Sequence, residues 1–304
     1  MINGGLLAGK TALVAGTGPG IGTGIAIALA GAGARIACAD VNELHARMCA
    51  KEVSDLGAQA CALVADLADE PSVERAIDQA EAELGVLDVL VNGVAVMNER
   101  SVLEMDYSSY LDQVTVILGA AFLLTRGVAR RLIGEGRPGS LIHLVSTAGH
   151  QGQADNIGYC TAKSGLLNFA RSAAAELGRY KIRVNTLTPT TTDPREGQER
   201  AARWGIPTSA AGLSARQETN RRRLLLSELP GPRHYGQAAV FLASDASDLV
   251  SGTDLRVDAG ALASYWAWSG GDHRDWGVPP EGAGHGEHDS GQRVDDKERR
   301  GISP

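Results

Sequence analysis

The sequence predicts an α/β fold in which helices flank a parallel sheet of about seven strands, all in a single domain. Two observations lead to this prediction. Short apolar runs alternate along the chain with longer segments of helical periodicity, and a glycine-rich turn follows the first apolar run. The two longest helices are predicted near 107–134 and 157–179. The strands are predicted near 10–15, 34–39, 59–64, 87–91, 139–145, 181–187 and 253–257.

The composition fits one large domain with a buried core, because 43% of the 304 residues are hydrophobic and 21% are charged. The net charge of −7 argues against a nucleic-acid partner. No apolar run reaches the roughly eighteen residues that a membrane span needs, and the start does not resemble a signal peptide. The four cysteines form no C-x-x-C pair, which fits a reducing compartment. We therefore expect a cytoplasmic protein with no membrane contact.

A turn with four glycines joins the first strand to an apolar helical pattern. Glycines let backbone N–H groups approach a pyrophosphate at the helix N-terminus, where the helix dipole favours negative charge. The spacing is G-x-x-x-G-x-G and not the common G-x-G-x-x-G, and a turn that binds no ligand would fit it too. With the strand and helix around it, the turn predicts a Rossmann-type, doubly wound sheet. Its residues are Gly16, Thr17, Gly18, Pro19, Gly20, Ile21 and Gly22.

Asp40 ends the second predicted strand, about twenty residues beyond the glycines. A carboxylate in this place accepts hydrogen bonds from the adenosine ribose of a dinucleotide and repels the additional phosphate of NADP. The glycine turn contains no Lys or Arg, and Val41 follows the acid. These features favour NAD over NADP. Asp40 could equally cap the following helix, and the two roles are compatible.

Tyr159 and Lys163 are four residues apart, so on a helix they share one face, and Ser146 stands thirteen residues before the tyrosine. A free tyrosine, with a pKa near ~10, is a poor base at neutral pH. A neighbouring ammonium favours the phenolate and is expected to lower this pKa. The Ser146 hydroxyl can then hold a carbonyl or alcohol oxygen beside the phenol. Taken alone, the Tyr-x-x-x-Lys pattern also fits a packed tyrosine beside a solvated lysine.

From about residue 8 to residue 262, these motifs and their order resemble the single-domain branch of the short-chain dehydrogenase/reductase family. The family's acid after the third strand matches Asp66, and its last helix and strand match segments near 241–245 and 257–260. Its Asn-Asn-Ala-Gly is half kept as Asn92-Gly93, and its Pro-Gly after the sixth strand has become Pro189-Thr190. The family's active-site Ser, Tyr and Lys match Ser146, Tyr159 and Lys163.

The resemblance implies an NAD-dependent oxidoreductase that interconverts a secondary alcohol and a ketone. Tyr159 would be the acid and base, Ser146 would orient the substrate, and Lys163 would bind the nicotinamide ribose and lower the tyrosine pKa. Family members are commonly tetramers or dimers, so we expect a homo-oligomer. We expect the cofactor to contact Gly16, Thr17, Gly20, Ile21, Gly22, Asp40, Asp66, Leu67, Asn92, Gly93, Tyr159, Lys163, Pro189, Thr190, Thr191 and Thr192.

One departure from the family touches the chemistry. Val116 occupies the place of an Asn that, in the family, helps to hold a water in a proton relay through the Lys. Thr115 or a backbone carbonyl could hold this water instead, or the relay could be impaired. The alternative function is therefore a catalytically weak NAD-binding protein that acts as a sensor or a subunit. The intact Ser146, Tyr159 and Lys163 favour the enzyme.

The substrate side is less well defined by the sequence. Residues 1–263 are predicted to form the domain, with a lid over the substrate at about 190–232. By position we expect the pocket wall to include Met97, His150, Gln153 and Trp204, and we expect an apolar or cyclic alcohol or ketone. Residues 264–304 form a C-terminal extension, predicted to be partly disordered because it is rich in Gly, Pro and charge. Histidines in this extension are not expected to bind a metal.

Overall fold

The computed structural model describes residues 5–208 and 214–263, which form a sheet flanked by helices. All seven strands belong to one sheet of order β3-β2-β1-β4-β5-β6-β7, and every neighbouring pair is parallel. This confirms the predicted fold. The strands are β1 (Thr11–Ala15), β2 (Arg35–Asp40), β3 (Ala60–Val64), β4 (Val89–Asn92), β5 (Gly139–Leu144), β6 (Ile182–Pro189) and β7 (Asp254–Val257).

The helices lie between the strands along the chain, as the alternating pattern predicts. They are α1 (Ile21–Gly31), α2 (Glu43–Asp55), α3 (Glu70–Leu84), α4 (Tyr107–Val114), α5 (Ala120–Gly134), α6 (Ile157–Leu177), α7 (Arg195–Arg203), α8 (Ala215–Arg222) and α9 (Pro232–Ala243). The last two strands of the sheet are separated by a long segment that contains α7, α8 and α9. The predicted C-terminal extension from residue 264 onward lies outside the described residues.

The chain reverses its direction of winding at β1, which pairs with β2 on one side and with β4 on the other. Ala15, the last residue of β1, stands opposite Ala39 of β2 and Asn92 of β4. The turns that follow β1, β2 and β4 therefore open side by side. In sheets of this kind a crevice forms outside the strand ends at such a reversal.

Two apolar layers cover the faces of the sheet. Buried side chains of α3, α5 and α6 form one layer, and those of α1, α2 and α9 form the other. α1 and α9 approach closely because glycines stand at their contact: a Cβ on Gly24 would lie 2.4 Å from Pro232 Cβ, and one on Gly236 would lie 2.6 Å from Ala28 Cβ. Both faces of the sheet are thus buried, which explains why the strands read as continuous apolar runs.

The predicted helix over 107–134 is interrupted by a π-helical turn at Thr115–Gly119, between α4 and α5. Such turns are rare and occur mostly at functional sites. This one contains Val116. Within residues 5–208 and 214–263, no helix has the length and apolarity that crossing a membrane requires.

Candidate active site

A cleft of about 910 Å³ opens at the carboxyl ends of the strands, where the chain reverses its winding. The glycine turn borders one part of the cleft, and Ser146, Tyr159 and Lys163 line another. Residues from the segment after β6, including α8, border the far side. The fold therefore brings the predicted phosphate-binding turn and the predicted catalytic residues into one continuous site.

Ser146 and Tyr159 meet through a side-chain hydrogen bond. Ser146 follows β5 and begins a short 3₁₀ turn, and its Oγ accepts a hydrogen bond from Ala148 N at 3.2 Å. Tyr159 belongs to the first turn of α6. A hydroxyl and a phenol are thus held together on the cleft wall, as the thirteen-residue spacing predicts.

The expected effect of Lys163 on the tyrosine is not what the structure shows. Burial raises the pKa of Tyr159, and its hydrogen bond with Ser146 opposes that rise. Lys163 Nζ lies 5.7 Å from the centre of the Tyr159 ring and donates a 2.7 Å hydrogen bond to the Leu144 carbonyl. Lys163 is only 2% exposed, and burial lowers its own pKa to about 7. The prediction that Lys163 lowers the tyrosine pKa treated the lysine as a full charge and omitted its desolvation.

A buried polar network lies behind Lys163, and the sequence reasoning missed it. His143 is fully buried in β5, and its Nδ1 accepts from Asn92 Nδ2 at 3.3 Å because Asn92 Oδ1 already accepts from Val94 N. The proton on the His143 ring therefore sits on Nε2 and points to Thr125 Oγ1, 3.1 Å away. Burial, with the nearby Lys163 charge, lowers the pKa of His143 to about 3. Asn92 thus shapes the turn after β4 and is itself held by a neutral histidine.

The glycine turn can accommodate a diphosphate. α1 has no acidic residue in its first turn and no side chain hydrogen-bonded to its N-terminus. Thr23 N donates to Gly18 O at 3.3 Å, and Ile21 and Gly22, the first two residues of the helix, line the cleft. Gly16 has a φ of +83°, and a Cβ on Gly22 would lie 1.9 Å from Gly16 O. A Cβ on Gly20 would meet no atom within 4 Å, which leaves open space over the turn. These features fit the phosphates of a dinucleotide.

Asp40 lies at the end of β2, beyond the glycine turn, with its side chain 11% exposed. Its Oδ1 accepts from Asn42 N at 2.9 Å, and Asn42, not Asp40, caps α2. The alternative role of Asp40 as the helix cap is therefore wrong. Asp66 is exposed after β3, where its Oδ1 accepts from Ala68 N at 2.9 Å. Thr17 and Leu67 are both buried, at 0% and 5% exposure.

Trp204 does not line the substrate pocket, contrary to the prediction. It is 6% exposed and packs in the apolar layer formed by α1, α2 and α9. Its Nε1 donates to Glu52 Oε1 at 2.8 Å, and its ring lies 6.1 Å from the His45 ring, centre to centre. The part of the segment after β6 that contains Trp204 packs against α2. No pattern in the sequence predicts this contact.

Arg200 anchors the same part of α7 to the glycine turn. Its guanidinium is 4% exposed and donates to Pro19 O at 2.6 Å, to Glu52 Oε2 at 3.0 Å and to Glu196 Oε1 at 3.0 Å. Although burial raises the pKa of Glu52, its hydrogen bonds to Trp204 and Arg200 lower it, and the net shift is downward. The structure therefore joins α2, α7 and the phosphate-binding turn through one buried arginine.

His150 also lies away from the cleft lining. Its Nε2 is 3.2 Å from Thr188 Oγ1 and 3.2 Å from Asp254 Oδ2, at the contact of β6 and β7. Met97 and Gln153 do line the cleft, as predicted. So do the predicted cofactor residues Pro189, Thr190, Thr191 and Thr192.

Part of the cleft lining is polar, which the sequence did not predict. Side chains from α8 and the segments around it recur at intervals of three, which places them on one helical side. The polar side chains at this wall and beside Ser146 are Gln151, Gln153, Ser214, Gln217, Asn220 and Arg223. Met97, Leu224 and Ala261 line the same cleft, and the expectation of an apolar or cyclic substrate stays a prediction.

The π turn contains Val116, which occupies the place of the family's water-holding Asn. Val116 is partly buried there, and Thr115 is exposed. A π turn inserts one residue into the helical hydrogen-bond ladder and disturbs the pairing of a backbone carbonyl. Among the described residues, no group of three or more His, Cys, Asp or Glu side chains is placed to hold a metal ion.

The fold, the glycine turn and the Ser146–Tyr159 pair are the features expected of a dinucleotide-binding α/β protein. A family model described as enoyl-(acyl carrier protein) reductase matches residues 15–261. D-threitol dehydrogenase of Mycolicibacterium smegmatis is 33% identical over 84% of this chain and 93% of its own length. Sorbitol dehydrogenase of Cereibacter sphaeroides is 31% identical over 84% of this chain and 98% of its own length.

A solved structure is also similar to this chain. A gluconate 5-dehydrogenase from Burkholderia cenocepacia, in complex with NADP and tartrate, superposes with a TM-score of 0.75 and is 29% identical. The match covers 85% of this chain and 97% of that one. The chain belongs to the short-chain dehydrogenase/reductase family, and it is an oxidoreductase.

Proposed function

We propose that this enzyme oxidises a secondary hydroxyl of a polyol or sugar to a ketone with NAD, and catalyses the reverse reduction. The observation that carries the proposal is the hydrogen-bonded Ser146–Tyr159 pair on the wall of a cleft that polar side chains of α8 also line. Amide and guanidinium groups can form hydrogen bonds with several hydroxyls at once. Gln217 and Ser214 also bond each other at the start of α8, and Asn220 Nδ2 donates to Thr191 Oγ1 at 2.9 Å. The two relatives named above act, by their names, on polyols.

Ser146 would hold the reacting oxygen, and Tyr159 would exchange the hydroxyl proton with it. Because burial raises the pKa of Tyr159, its phenol is protonated at neutral pH in the protein alone, which is the state that donates a proton in reduction. Lys163 would hold the nicotinamide ribose, and its lowered pKa of about 7 allows it to gain and lose a proton near neutrality. When bound, NAD supplies the hydride acceptor.

The same proposal assigns the remaining parts of the cleft. The N-terminus of α1 and the glycine turn would hold the diphosphate, and Asp40 the adenosine ribose. Asp66 and the backbone of Leu67 would face the adenine, and Asn92-Gly93 and residues 189–192 would border the nicotinamide. NAD is preferred because Asp40 repels an additional phosphate and the turn has no basic side chain. A cytoplasmic location and an oligomeric state stay predictions.

The test is a panel of D-threitol, sorbitol and gluconate with NAD and with NADP, followed by the absorbance of the reduced cofactor. The matched control for D-threitol is 2-butanol, which has the same carbon count and a single hydroxyl. We expect turnover with at least one polyhydroxylated compound, faster with NAD, and little with 2-butanol. Faster turnover of 2-butanol would contradict the substrate class. Binding of NAD with no turnover of any compound would favour the catalytically weak NAD-binding protein.

A further inference from the structure

The side of α8 that borders the cleft ends in a positive charge, the guanidinium of Arg223. Gln217, Asn220 and Arg223 follow one another at intervals of three along the chain, and all three line the cleft. Asn220 Nδ2 donates to Thr191 Oγ1 at 2.9 Å, which ties this side of the helix to the segment after β6. Arg223 N donates to Asn220 O at 3.0 Å, so the local structure places Arg223 on the last turn of α8.

Arg223 is the last of three consecutive arginines, and its charge is used differently from the other two. Glu218 Oε1 accepts from Arg221 Nη2 at 2.8 Å and from Arg222 Nε at 3.0 Å. In the part of the chain that the structure describes, Arg223 has no carboxylate within ion-pair distance. A guanidinium stays charged in proteins and presents its N–H donors in a planar fork that matches a carboxylate. Arg223 therefore offers an uncompensated charge to a molecule in the cleft.

The C-terminal end of α8 lies on the side of the cleft that the proposed function assigns to the substrate. Leu226 N donates to Ala259 O at 3.2 Å, and a Cβ on Gly260 would lie 2.8 Å from Leu225 Cβ, so the residues after α8 contact the segment after β7. β7 is four strand positions from β1, which is roughly 19 Å, and two positions from β5, which is roughly 10 Å. The glycine turn follows β1 and Ser146 follows β5. The charge at the end of α8 is thus closer to the reacting group than to the cofactor phosphates.

Two other charged side chains belong to the described lining of the cleft, Lys163 and Glu99. Lys163 is 2% exposed and donates to the Leu144 carbonyl at 2.7 Å, so its charge is withdrawn from the open part of the cleft. Glu99 follows β4, which lies on the far side of β5 from β7. A molecule with a carboxylate at one end and hydroxyls along its chain fits this distribution, because the carboxylate can pair with Arg223 and hydroxyls can donate to Glu99.

We infer that the substrate is a polyhydroxy carboxylic acid whose carboxylate binds Arg223 while the hydroxyl that is oxidised lies beside Ser146 and Tyr159. The inference names the substrate class of the proposed function and rests on it. An alditol of the same length has a terminal hydroxymethyl group in place of the carboxylate, and this group forms no ion pair. Arg223 is therefore a specificity-determining residue that separates the acid from the alditol.

The test uses two matched pairs of compounds, D-gluconate with sorbitol and D-threonate with D-threitol. The members of each pair have the same carbon count and differ at one terminal carbon. The value of kcat/KM is measured with saturating NAD in the wild type, Arg223→Gln and Arg223→Lys. Arg222→Gln is the matched control, because it removes the same charge from the adjacent position, on a side chain that is paired with Glu218.

The quantity compared is the kcat/KM of the acid divided by that of its alditol. In the wild type we expect this ratio to exceed one for at least one pair. Arg223→Gln should lower it about tenfold, mainly through a higher KM for the acid, because a hydrogen bond to a charged partner is lost. Arg223→Lys should lower it less, since an ammonium keeps the charge but not the planar fork. Arg222→Gln should follow the wild type.

Alditols that are better substrates than their acids in both pairs would overturn the inference and leave the proposed function intact. A ratio that is unchanged in Arg223→Gln would do the same, and so would an equal fall in Arg222→Gln, because the effect would then be one of general charge. If the wild type turns over no member of either pair although NAD binds, the proposed function fails and the inference fails with it. The outcomes therefore distinguish the two claims.

Discussion

The two ends of the cleft differ in how their functional side chains are held. At the proposed catalytic end, Ser146 follows β5, and Tyr159 and Lys163 lie on α6, the next helix along the chain. At the adenosine end, Asp40 is part of β2, but the side chains around it belong to α2 and to the distant α7. The positions of the side chains at the first end follow from their spacing in the sequence. Those at the second end depend on contacts between residues that are far apart in the chain.

The largest effect is expected at the catalytic end. Tyr159→Phe removes the proton that the phenol exchanges with the substrate and keeps the ring and its packing. Turnover should fall by roughly 10²–10⁴, the usual range for loss of a general acid or base. The measurement is the steady-state rate with the best polyol and saturating NAD. A variant rate within a few-fold of the wild type would remove Tyr159 from the proposed role.

The second effect is on stability at the adenosine end. Arg200→Met leaves the partly buried Glu52 with fewer partners and removes the buried donor to the Pro19 carbonyl. Breaking a buried pair in this way costs about 3 kcal/mol, or a fall in Tm of roughly 6–12 °C for a chain of this size. The control is Arg203→Met, which contacts the same Glu52 from an exposed position and should cost less than about 1 kcal/mol. Equal losses would show that Arg200 is not the anchor.

The third effect is a pH dependence of stability at the catalytic end. Because burial lowers the pKa of His143 to about 3, the unfolded chain binds a proton below about 6.5 that the folded protein does not. Stability should therefore fall as the pH drops from about 6.5 toward 3, with a slope of at most about 1.4 kcal/mol per pH unit from this residue. His143→Asn should flatten this fall in urea unfolding curves. Parallel curves for the two proteins would contradict the assignment.

The smallest effect concerns selectivity at the adenosine end. Asp40→Asn keeps a hydrogen-bonding side chain and removes the charge that repels a 2′-phosphate. The ratio of the NADP to the NAD dissociation constant should fall about tenfold, a difference of about 1.4 kcal/mol. Asp66→Asn is the control, because the adenine is the same in both cofactors and the ratio should not change. An unchanged ratio in Asp40→Asn would show that Asp40 does not face the ribose.

The meeting of Ser146, Tyr159 and Lys163 in one cleft can be predicted from the sequence because its signals are local. A spacing of four on a helix and the glycines of one turn are readable without knowledge of packing. The positions of the seven strands agree with the prediction to within two residues, as with the predicted 59–64 and the observed Ala60–Val64. A strand that is buried on both faces is apolar along its whole length, so a continuous apolar run marks where the strand begins and ends.

The adenosine end was only partly predictable, because its contacts join residues far apart in the chain. Glu52 and Arg200 are separated by 148 positions, and no local pattern pairs them. Trp204 was placed in the substrate pocket because it follows β6, but its indole is held by Glu52 on the other side of the glycine turn. The desolvation of Lys163 was missed for a related reason: burial depends on the whole fold and not on spacing.

The most direct test of the account measures turnover and cofactor binding together in Tyr159→Phe and Asp40→Asn. If the two ends have separate roles, Tyr159→Phe should lose turnover and keep the NAD dissociation constant within a few-fold. Asp40→Asn should lose discrimination against NADP and keep turnover when NAD is saturating. If each variant instead changed both quantities to the same degree, the separation of acid–base chemistry from cofactor selection along this cleft would be contradicted.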